Sequence, residues 1–438
     1  MSPAFKEASF PPDYRQAQAA QILAAVYRSR SIAVTGLAGM GKSNVVRFIA
    51  SHPEARRRYL RERAPDVAVV YVDCASLPAN DEDSVLEETL AQLYLEGLAG
   101  QAPTLPPAVL SLRRNLRAQV LGLDPARSLV LILDDFDQAA QALGEPFFNY
   151  LAHLRNARPR ANLSYVFATR RPLGHLYELQ ELLDDGCVVG PFTPADALAS
   201  LERDGARLGY ALTPEQGQAL LHCTGGHPGL LKNAAELVAS GDASAEQGPD
   251  ELARQLLRSP KVRIACADLW GDLTAAEQGV LGNLAQGIPL DQAANPQALA
   301  FLRENGLLVP EAGPERVFSP LLAAFVRAQS APGGQVRIAP APPNHARIEV
   351  RGSAQMADLT PLLFGLLCAF SQAPEHILSR EDVIRALYGG GEGVSDEAIS
   401  QLVKRLRLAL DPAAQRMAND PSYTCVETIR GIGFRFRG

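Results

Sequence analysis

Residues 32–51 read IAVTGLAGMGKSNVVRFIAS, which is an apolar run, a glycine-rich segment and a helical pattern in succession. The glycine-rich segment, Gly36 to Ser43, has the spacing G-x-x-x-x-G-K-S. Between a strand and a helix, this spacing predicts a loop whose backbone N–H groups surround phosphate oxygens. The positive end of the following helix points to the same place. We therefore expect a nucleotide phosphate site in this loop.

Each part of the loop has an expected role. Lys42 is expected to reach the β- and γ-phosphates, and the Ser43 hydroxyl is expected to ligate Mg²⁺. The glycines let the backbone curl around the phosphates. The residues expected to contact the nucleotide in this segment are Gly36, Gly39, Gly41, Lys42, Ser43 and Asn44.

Further apolar runs predict a parallel sheet around the loop. The runs VVYVD and LVLILDD are apolar throughout, which is typical of strands covered on both faces by helices. Strands that alternate with helical or loop stretches are predicted at Ser31–Thr35, Val67–Cys74, Leu129–Leu133, Ser164–Thr169 and Cys187–Val189. The expected fold class is an α/β P-loop NTPase.

Polar residues end two of these strands. Asp134 and Asp135 follow a fully apolar strand and lie at the carboxyl edge of the sheet, where ligands bind in open α/β folds. Asp134 is expected to hold Mg²⁺, and Asp135 to orient or deprotonate the attacking water; the alternative is a solvated pair at the strand end. Thr169 and Arg170 end the next strand and are expected to place a donor and a cation near the γ-phosphate.

The pattern changes along the chain and predicts five segments. Helices without strands follow the sheet, and in this region GGHPG at 225–229 is expected to bring Pro228 over the nucleotide base. A segment with four prolines and two glycines reads as a linker. The expected segments are an ATPase core at 1–192, a helical lid at 193–258, a first winged helix at 259–330, a linker at 331–345 and a terminal domain at 346–438.

Together these motifs resemble the STAND and origin-recognition-like branch of the AAA+ ATPases. The matching motifs are Walker A at Gly36–Ser43, Walker B at Asp134 and Asp135, a sensor-like Thr169–Arg170 and a Gly-x-Pro motif at Gly226–Pro228. The segment PPDYRQAQ resembles the family's linker beside the adenine, and this resemblance assigns Arg15 to the nucleotide site.

The resemblance implies ATP or ADP with Mg²⁺ as ligands, since the GTP-selective Asn-Lys-x-Asp signature is absent from the sequence. It also implies an ATP-dependent homo-oligomer. The arginine finger stays open among Arg170, Arg171 and Arg203, or comes from a neighbouring protomer. Because such an arginine contributes about 10³ to 10⁵ in rate, we expect slow ATP hydrolysis that serves as a switch.

The terminal segment, 346–438, resembles the OmpR-like winged helix-turn-helix of response-regulator transcription factors. The resemblance rests on LTPLLFGLLCAF, SREDVIRALYG, SDEAISQLVKRLRLAL and CVETIRGIGFRF. On the predicted recognition helix a buried stripe leaves a polar face for a major groove. The residues expected to contact double-stranded DNA are Ser400, with Gln401 and Lys404 at base edges, Arg405 and Arg407 at phosphates, and Arg430 and Arg435 on the wing hairpin.

Composition limits the partners. The chain of 438 residues is 47% hydrophobic and 21% charged, as in ordinary globular proteins. Its net charge is −6, and residues 346–438 carry eleven basic and eleven acidic side chains, so any DNA contact must be local. No apolar run approaches the roughly 18 to 20 residues of a membrane span, and a cytoplasmic location is expected.

Three functions fit these observations. The first is an ATP-dependent, DNA-binding transcriptional regulator whose nucleotide state controls conformation or oligomerisation. The second is a replication-initiator or transposition-helper ATPase of the AAA+ type. The third is a STAND signalling or defence scaffold whose winged helix contacts protein. The sequence identifies no effector for any of them.

Overall fold

The chain packs as two compact units, Met1–Phe325 and Val326–Gly438. The computed structural model describes residues 5–98, 109–124, 126–157, 163–173, 182–290, 295–310, 315–330, 336–350, 353–373, 376–389, 394–418, 423–429 and 433–437. Among these residues, no helix combines the length and the apolar character needed to cross a membrane.

A five-stranded parallel sheet forms the centre of the first unit. Its strands are β1 (Ile32–Thr35), β2 (Val67–Asp73), β3 (Ser128–Asp134), β4 (Leu163–Thr169) and β5 (Asp185–Val188). They stand in the order β2-β3-β4-β1-β5 and all pair in parallel. Every residue of β3 and of β4 is buried, as expected for strands covered on both faces. The α/β fold predicted from the sequence is therefore confirmed.

Helices pack on both faces of this sheet. Helix α1 (Gln16–Tyr27) precedes β1, and the helices between the strands are α2 (Lys42–Ser51), α3 (Pro53–Leu60), α4 (Glu82–Leu95), α5 (Val109–Gly122), α6 (Asp137–Ala142) and α7 (Glu145–Asn156). Short 3₁₀ helices lie at Lys6–Ser9, Arg61–Asp66 and Cys74–Ser76. Apolar residues of α4, α5 and α7 pack with β2, β3 and β4 in one continuous core.

After β5 the described residues of the first unit are mainly helical. The helices are α8 (Pro194–Leu208), α9 (Pro214–Thr224), α10 (Pro228–Ala239), α11 (Pro249–Leu256), α12 (Pro260–Gly271), α13 (Ala275–Ala285) and α14 (Pro296–Glu304), with a 3₁₀ turn at Ala245–Gln247. Helix α15 (Pro320–Ser330) includes the boundary between the two units. A two-stranded antiparallel hairpin, β6 (Leu308–Val309) with β7 (Arg316–Val317), follows α14. Thr274 caps α13 through a capping box with Glu277.

The second unit joins two small antiparallel sheets to three helices. Its elements are β8 (Arg337–Ala341), β9 (His345–Val350), β10 (Ser353–Asp358), α16 (Pro361–Gln372), β11 (Ile377–Leu378), α17 (Arg380–Tyr388), α18 (Asp396–Ala418), β12 (Val426–Ile429) and β13 (Gly433–Phe436). The sheets have the orders β10-β9-β8 and β11-β13-β12. Apolar residues of all three helices share one core with both sheets.

Two sequence expectations for this unit need correction. Residues 337–341, expected in a linker, form β8, which pairs with β9. Proline is tolerated there because β8 is an edge strand, so the missing N–H of Pro340 need not join a ladder. The recognition helix, expected to end at Leu410, continues to Ala418 past Pro412.

The extension of α18 has specific support. The Asp411 carboxylate accepts hydrogen bonds from Cys425 N–H at 2.8 Å and from the Thr424 hydroxyl at 3.0 Å. Ala413 and Ala414 are buried against the same segment. These contacts compensate for the hydrogen bond that the proline removes.

Candidate functional site: a phosphate pocket and an exposed recognition helix

The phosphate loop runs from the end of β1 to the first residue of α2. Gly39 and Gly41 have φ values of +74° and +87°, a region that costs other residues conformational energy. A Cβ atom at Gly36 would lie 2.5 Å from the Val189 carbonyl oxygen. The loop therefore has the tight, glycine-dependent backbone that the sequence predicts.

A hydroxyl and a carboxylate meet beside this loop. The Ser43 Oγ atom donates a hydrogen bond to Asp134 Oδ1 at 3.2 Å, and Asp134 is completely buried. Burial raises the pKa of the Asp134 carboxyl to about 6, although a hydrogen bond from Tyr71 opposes the rise. Hydroxyl and carboxylate oxygens suit Mg²⁺, so these two residues fit the expected metal site.

Two side chains that the sequence did not single out hold Asp134 in place. The Tyr71 hydroxyl donates to Asp134 Oδ2 at 2.7 Å and accepts from Arg47 Nε at 2.8 Å. Arg47 also pairs with Asp73, which lies opposite Asp134 in the strand register. Neither residue belongs to a recognisable motif, and only the register of β2 against β3 brings them to the site.

Lys42 lies inside the loop. Its Nζ atom donates to the Gly36 carbonyl oxygen at 2.6 Å, and the side chain is buried. Burial lowers the pKa of Lys42, while Asp135 and Asp137 act in the opposite direction. The Lys42 ammonium therefore lies inside the loop that is expected to bind phosphate.

A cavity of about 750 Å³ opens over the loop, within the usual size of ligand sites. Predicted residues that line it are Gly39, Gly41, Lys42, Ser43, Asn44, Asp135, Arg170 and Pro228. The opposite wall contains Phe10, Tyr14 and Phe192. The Tyr14 hydroxyl is buried and forms no hydrogen bond with any residue that the structure describes, so a polar group of a bound molecule would satisfy it.

Three further predicted residues, Gly36, Arg15 and Thr169, do not line the cavity. Arg15 is buried and donates to the carbonyl oxygens of Met40, Gly190 and Pro191 at 2.8 to 3.1 Å, so it ties the loop to the end of the sheet. The Thr169 hydroxyl donates to the Arg171 carbonyl oxygen at 2.9 Å. Gly36 continues β1 and donates its N–H to the Thr169 carbonyl oxygen.

Asp135 stands in an unusual backbone conformation at the cavity. Its φ of +49° is uncommon for a residue other than glycine. Its N–H donates to Asp134 Oδ1 at 3.0 Å, which directs the two neighbouring carboxylates to different places. Asp134 faces Ser43, whereas Asp135 lines the cavity.

The three arginines considered for a finger differ in their contacts. Arg170 Nη1 donates to Asp272 Oδ1 at 3.0 Å. Arg171 donates to both carboxylate oxygens of Glu277 at 2.8 Å. The Arg203 guanidinium lines the cavity and lies 4.2 Å from the centre of the Phe10 ring.

In the second unit, the recognition helix presents its predicted polar face. Ser400, Gln401, Lys404 and Arg405 are exposed, whereas Ile399, Val403, Leu406 and Leu410 are buried, as the periodicity predicts. An ion pair of 3.7 Å between Arg380 and Asp396 links the first residues of α17 and α18. The polar face is therefore displayed by a helix that is firmly packed.

The remaining predicted DNA contacts differ in their placement. Arg407 donates from Nε to the Val426 carbonyl oxygen at 2.8 Å and from Nη2 to the Thr428 hydroxyl at 3.0 Å. It therefore ties α18 to the hairpin strand β12. Arg435 is exposed on β13. Arg430 lies outside the described residues.

The sheet order, the glycine loop after β1 and the paired aspartates after β3 define the class of the first unit, a P-loop ATPase. Residues 11–166 match the family model "AAA ATPase domain". Residues 354–436 match the family model "Transcriptional regulatory protein, C terminal". The chain thus contains an AAA ATPase domain and an OmpR/PhoB-type winged helix.

Curated relatives match the second of these domains. The phosphate regulon transcriptional regulatory protein PhoB of Escherichia coli (strain K12) is 33% identical over 88 residues, 20% of this chain and 35% of that protein. The transcriptional regulatory protein BaeR of Escherichia coli O6:H1 is 29% identical over 93 residues, 21% of this chain and 36% of that protein. The chain spans about a third of the length of these relatives.

Solved structures resemble the larger part of the chain. The Walker-type ATPase of Pyrococcus abyssi has a TM-score of 0.49 at 15% identity, over 74% of this chain and 97% of that one. Cdc6p from Pyrobaculum aerophilum has a TM-score of 0.38 at 15% identity, over 75% of this chain and 96% of that one. The assignment of the fold rests on the sheet order and the loop geometry above.

Proposed function

We propose that this protein is a transcription regulator in which adenine nucleotide bound to the AAA module controls DNA binding by the winged helix. The observation that carries the proposal is the Ser43–Asp134 pair beside a glycine loop and a nucleotide-sized cavity. The same chain displays a polar recognition helix in its second unit. A switch and a DNA reader are therefore joined in one polypeptide.

ATP with Mg²⁺ is the proposed ligand. Lys42 and the loop N–H groups would hold the phosphates, Ser43 and Asp134 would hold the metal, and the aromatic wall of Phe10, Tyr14 and Phe192 suits a base. Bound Mg²⁺ would supply positive charge to the phosphates. Asp135 lines the cavity and is the proposed base or orienting group for water, with Arg170 beside it and Thr169 shaping the turn.

We further propose that the first unit is of the STAND subtype, with a helical lid at 193–258 and a first winged helix at 259–330, and that the protein is cytoplasmic.

The free energy of nucleotide binding is large enough for a switch. Nucleotide at a thousandfold excess over its dissociation constant supplies about 4 kcal/mol, enough to bias a two-state protein strongly. The winged helix has no net positive charge, so one copy should bind DNA weakly. ATP-dependent oligomers would raise the effective concentration of these modules.

The scaffold function is the second candidate. Leu408 is 67% exposed on α18, where an apolar side chain suits a protein surface as well as a base. In that case the second unit would retain no genomic DNA at low salt in any nucleotide state.

The test is selection of genomic fragments by the purified chain with ATP, with ADP and without nucleotide. We expect a defined set of fragments that is enriched with one nucleotide and lost with Lys42→Ala. Without nucleotide, the wild-type chain and Lys42→Ala should retain the same genomic fragments, and this comparison controls for effects of the substitution unrelated to nucleotide. Equal enrichment under all three conditions would contradict control by nucleotide.

A further inference from the structure

A carboxylate from a distant part of the first unit already holds donors at the phosphate loop. Asp272 follows α12 and is separated from Ala38 by 234 residues, yet its Oδ2 atom accepts a hydrogen bond from Ala38 N–H at 2.6 Å. Its Oδ1 atom accepts from Arg170 Nη1 at 3.0 Å. The Asp272 side chain is only 9% exposed, so its carboxylate is largely withdrawn from bulk water, while the Arg170 side chain is 52% exposed.

The backbone around Asp272 is anchored to the same edge of the sheet. Arg171 Nη1 donates to the Asp272 carbonyl oxygen at 2.9 Å and to Glu277 on α13 at 2.8 Å. The Arg171 guanidinium also lies 4.0 Å from the centre of the Phe301 ring. Two consecutive arginines after β4 therefore hold the junction of α12 and α13 against the phosphate loop.

The two donors on Asp272 are of the kind that bind a terminal phosphoryl group. A loop N–H and a guanidinium are typical ligands of phosphate oxygens. Here both converge on one carboxylate, which is itself a small anion with two acceptor oxygens. A terminal phosphoryl group cannot accept both hydrogen bonds while Asp272 accepts them, because the two anions would occupy the same donors and their negative charges would repel each other.

We propose that Asp272 sets the preference of the pocket between nucleoside diphosphate and triphosphate by competing with the terminal phosphoryl group for Ala38 N–H and Arg170. The inference rests on the proposed nucleotide binding. A diphosphate lacks the competing group and leaves Asp272 in place. A triphosphate displaces the carboxylate and so loosens the docking of α12 and α13 on the loop.

The first experiment measures dissociation constants of ADP and of a non-hydrolysable ATP analogue for the full chain with Mg²⁺. Asp272→Asn removes the charge at nearly constant shape, and Asp272→Ala removes the hydrogen bonds as well. We expect either variant to tighten the analogue relative to ADP by about tenfold or more. ADP binding reports an intact pocket in each variant.

Asp268→Asn is the matched control, because Asp268 lies one turn earlier on α12 and lines the same cavity. The substitution removes the same charge as Asp272→Asn, and no described hydrogen bond joins the Asp268 side chain to the loop. We expect it to shift both nucleotides together, with little change in their ratio. A ratio that changes equally in Asp268→Asn and Asp272→Asn would overturn the specific role of Asp272.

The second measurement is hydrogen exchange of the α12 and α13 amides. In the wild type we expect the analogue, but not ADP, to raise exchange there, and Asp272→Asn should show raised exchange without nucleotide. Binding of both nucleotides with an unchanged ratio and unchanged exchange would overturn the inference alone. Failure of the wild type and of every Asp272 variant to bind any nucleotide would overturn the proposed function as well.

Discussion

His227 Nε2 lies 3.0 Å from the carbonyl oxygen of Ala38, which joins α10 to the phosphate loop through one imidazole. The other ring nitrogen, Nδ1, accepts the N–H of Leu230 and caps the helix. The proton must therefore be on Nε2, which donates to Ala38. The bond at Nδ1 needs the neutral ring, because a protonated Nδ1 cannot accept a hydrogen bond. Complete burial, with a smaller effect of Arg15, lowers the pKa of His227 to about 4.

This burial predicts a pH-dependent loss of stability. The unfolded chain protonates His227 near pH 6.5, whereas the folded chain does so near pH 4. Between these values the unfolded state binds more protons, so the contribution of about 3 kcal/mol present above pH 6.5 is lost as the pH falls towards 4. Urea unfolding of the first unit at several pH values measures this loss.

The comparison of His227→Asn with His222→Gln isolates the effect. Asparagine can still cap α10 but does not titrate. The variant should therefore be less stable than the wild type at pH 7.5, and its free energy of unfolding should change less with pH below pH 6.5. His222 is exposed, and its replacement should leave the wild-type profile in place. Parallel profiles for the wild type and His227→Asn would show that another group is responsible.

Gly39 packs directly against the same imidazole. A Cβ atom at Gly39 would lie 2.5 Å from His227 Cε1, and the backbone φ is +74°. Gly39→Ala should therefore combine backbone strain with a steric clash and destabilise the first unit by about 3 kcal/mol, with weaker nucleotide binding. Thermal unfolding and nucleotide titration measure the two effects.

Gly209 provides the matched control. It has a φ of +81° at the end of α8, and nothing lies within 4 Å of its would-be Cβ. Gly209→Ala should cost only the strain, about 1 kcal/mol, and leave nucleotide affinity unchanged. If the two variants were equally stable, the loop and α10 would not be packed as closely as the structure describes.

The predictable parts of this protein are those encoded locally. The loop spacing and the apolar strands predict that Lys42, Ser43 and Asp134 lie close together, because the carboxyl ends of adjacent parallel strands meet at one edge of the sheet. The periodicity of α18 likewise separated its buried and exposed faces. These features depend on short-range pattern and on general rules of packing.

Long-range contacts could not be predicted in this way. Nothing in the sequence around Asp272 indicates that its carboxylate reaches Ala38, since the contact depends on how α12 packs after more than two hundred residues. Tyr71 looks like any strand residue until the register places it beside Asp134. The strand at 337–341 was obscured by its proline, which marks an edge strand as readily as a linker.

Tyr71→Phe tests whether the support of Asp134 matters for the proposed metal site. Losing the donated hydrogen bond removes the hydroxyl that bridges Asp134 and Arg47 Nε, and leaves the Asp134 carboxylate only the 3.8 Å ion pair with Arg47 on that side. Partners behind a metal ligand typically contribute about 10-fold or more in metal affinity, so the Mg²⁺-dependent part of nucleotide binding should weaken by about that factor. Binding in EDTA should be unchanged.

Tyr150→Phe removes a similar hydroxyl elsewhere, because the Tyr150 hydroxyl donates to the Arg113 carbonyl oxygen at 2.8 Å. We expect it to cost about 1 kcal/mol of stability and to leave the Mg²⁺ dependence intact. If nucleotide binding depended equally on Mg²⁺ in Tyr71→Phe and Tyr150→Phe, the proposed role of Tyr71 in positioning Asp134 would be contradicted.

The last prediction separates two basic residues on α18. Arg405 is exposed, whereas Arg407 is bonded to Val426 and Thr428 in β12. If Arg405 contacts a phosphate as expected, Arg405→Ala should lower the slope of log affinity against log salt by about 1 and leave stability unchanged. Arg407→Ala should instead destabilise the second unit by about 2 kcal/mol, because the part-buried Val426 carbonyl oxygen loses a charged donor and the Thr428 hydroxyl loses its partner.

Salt titrations of DNA binding and urea unfolding of the full chain measure both quantities for both variants. The two substitutions serve as controls for each other, since each removes one positive charge from the same helix. A loss of salt slope in Arg407→Ala without any loss of stability would place Arg407 on the DNA and contradict the structural role that its hydrogen bonds indicate.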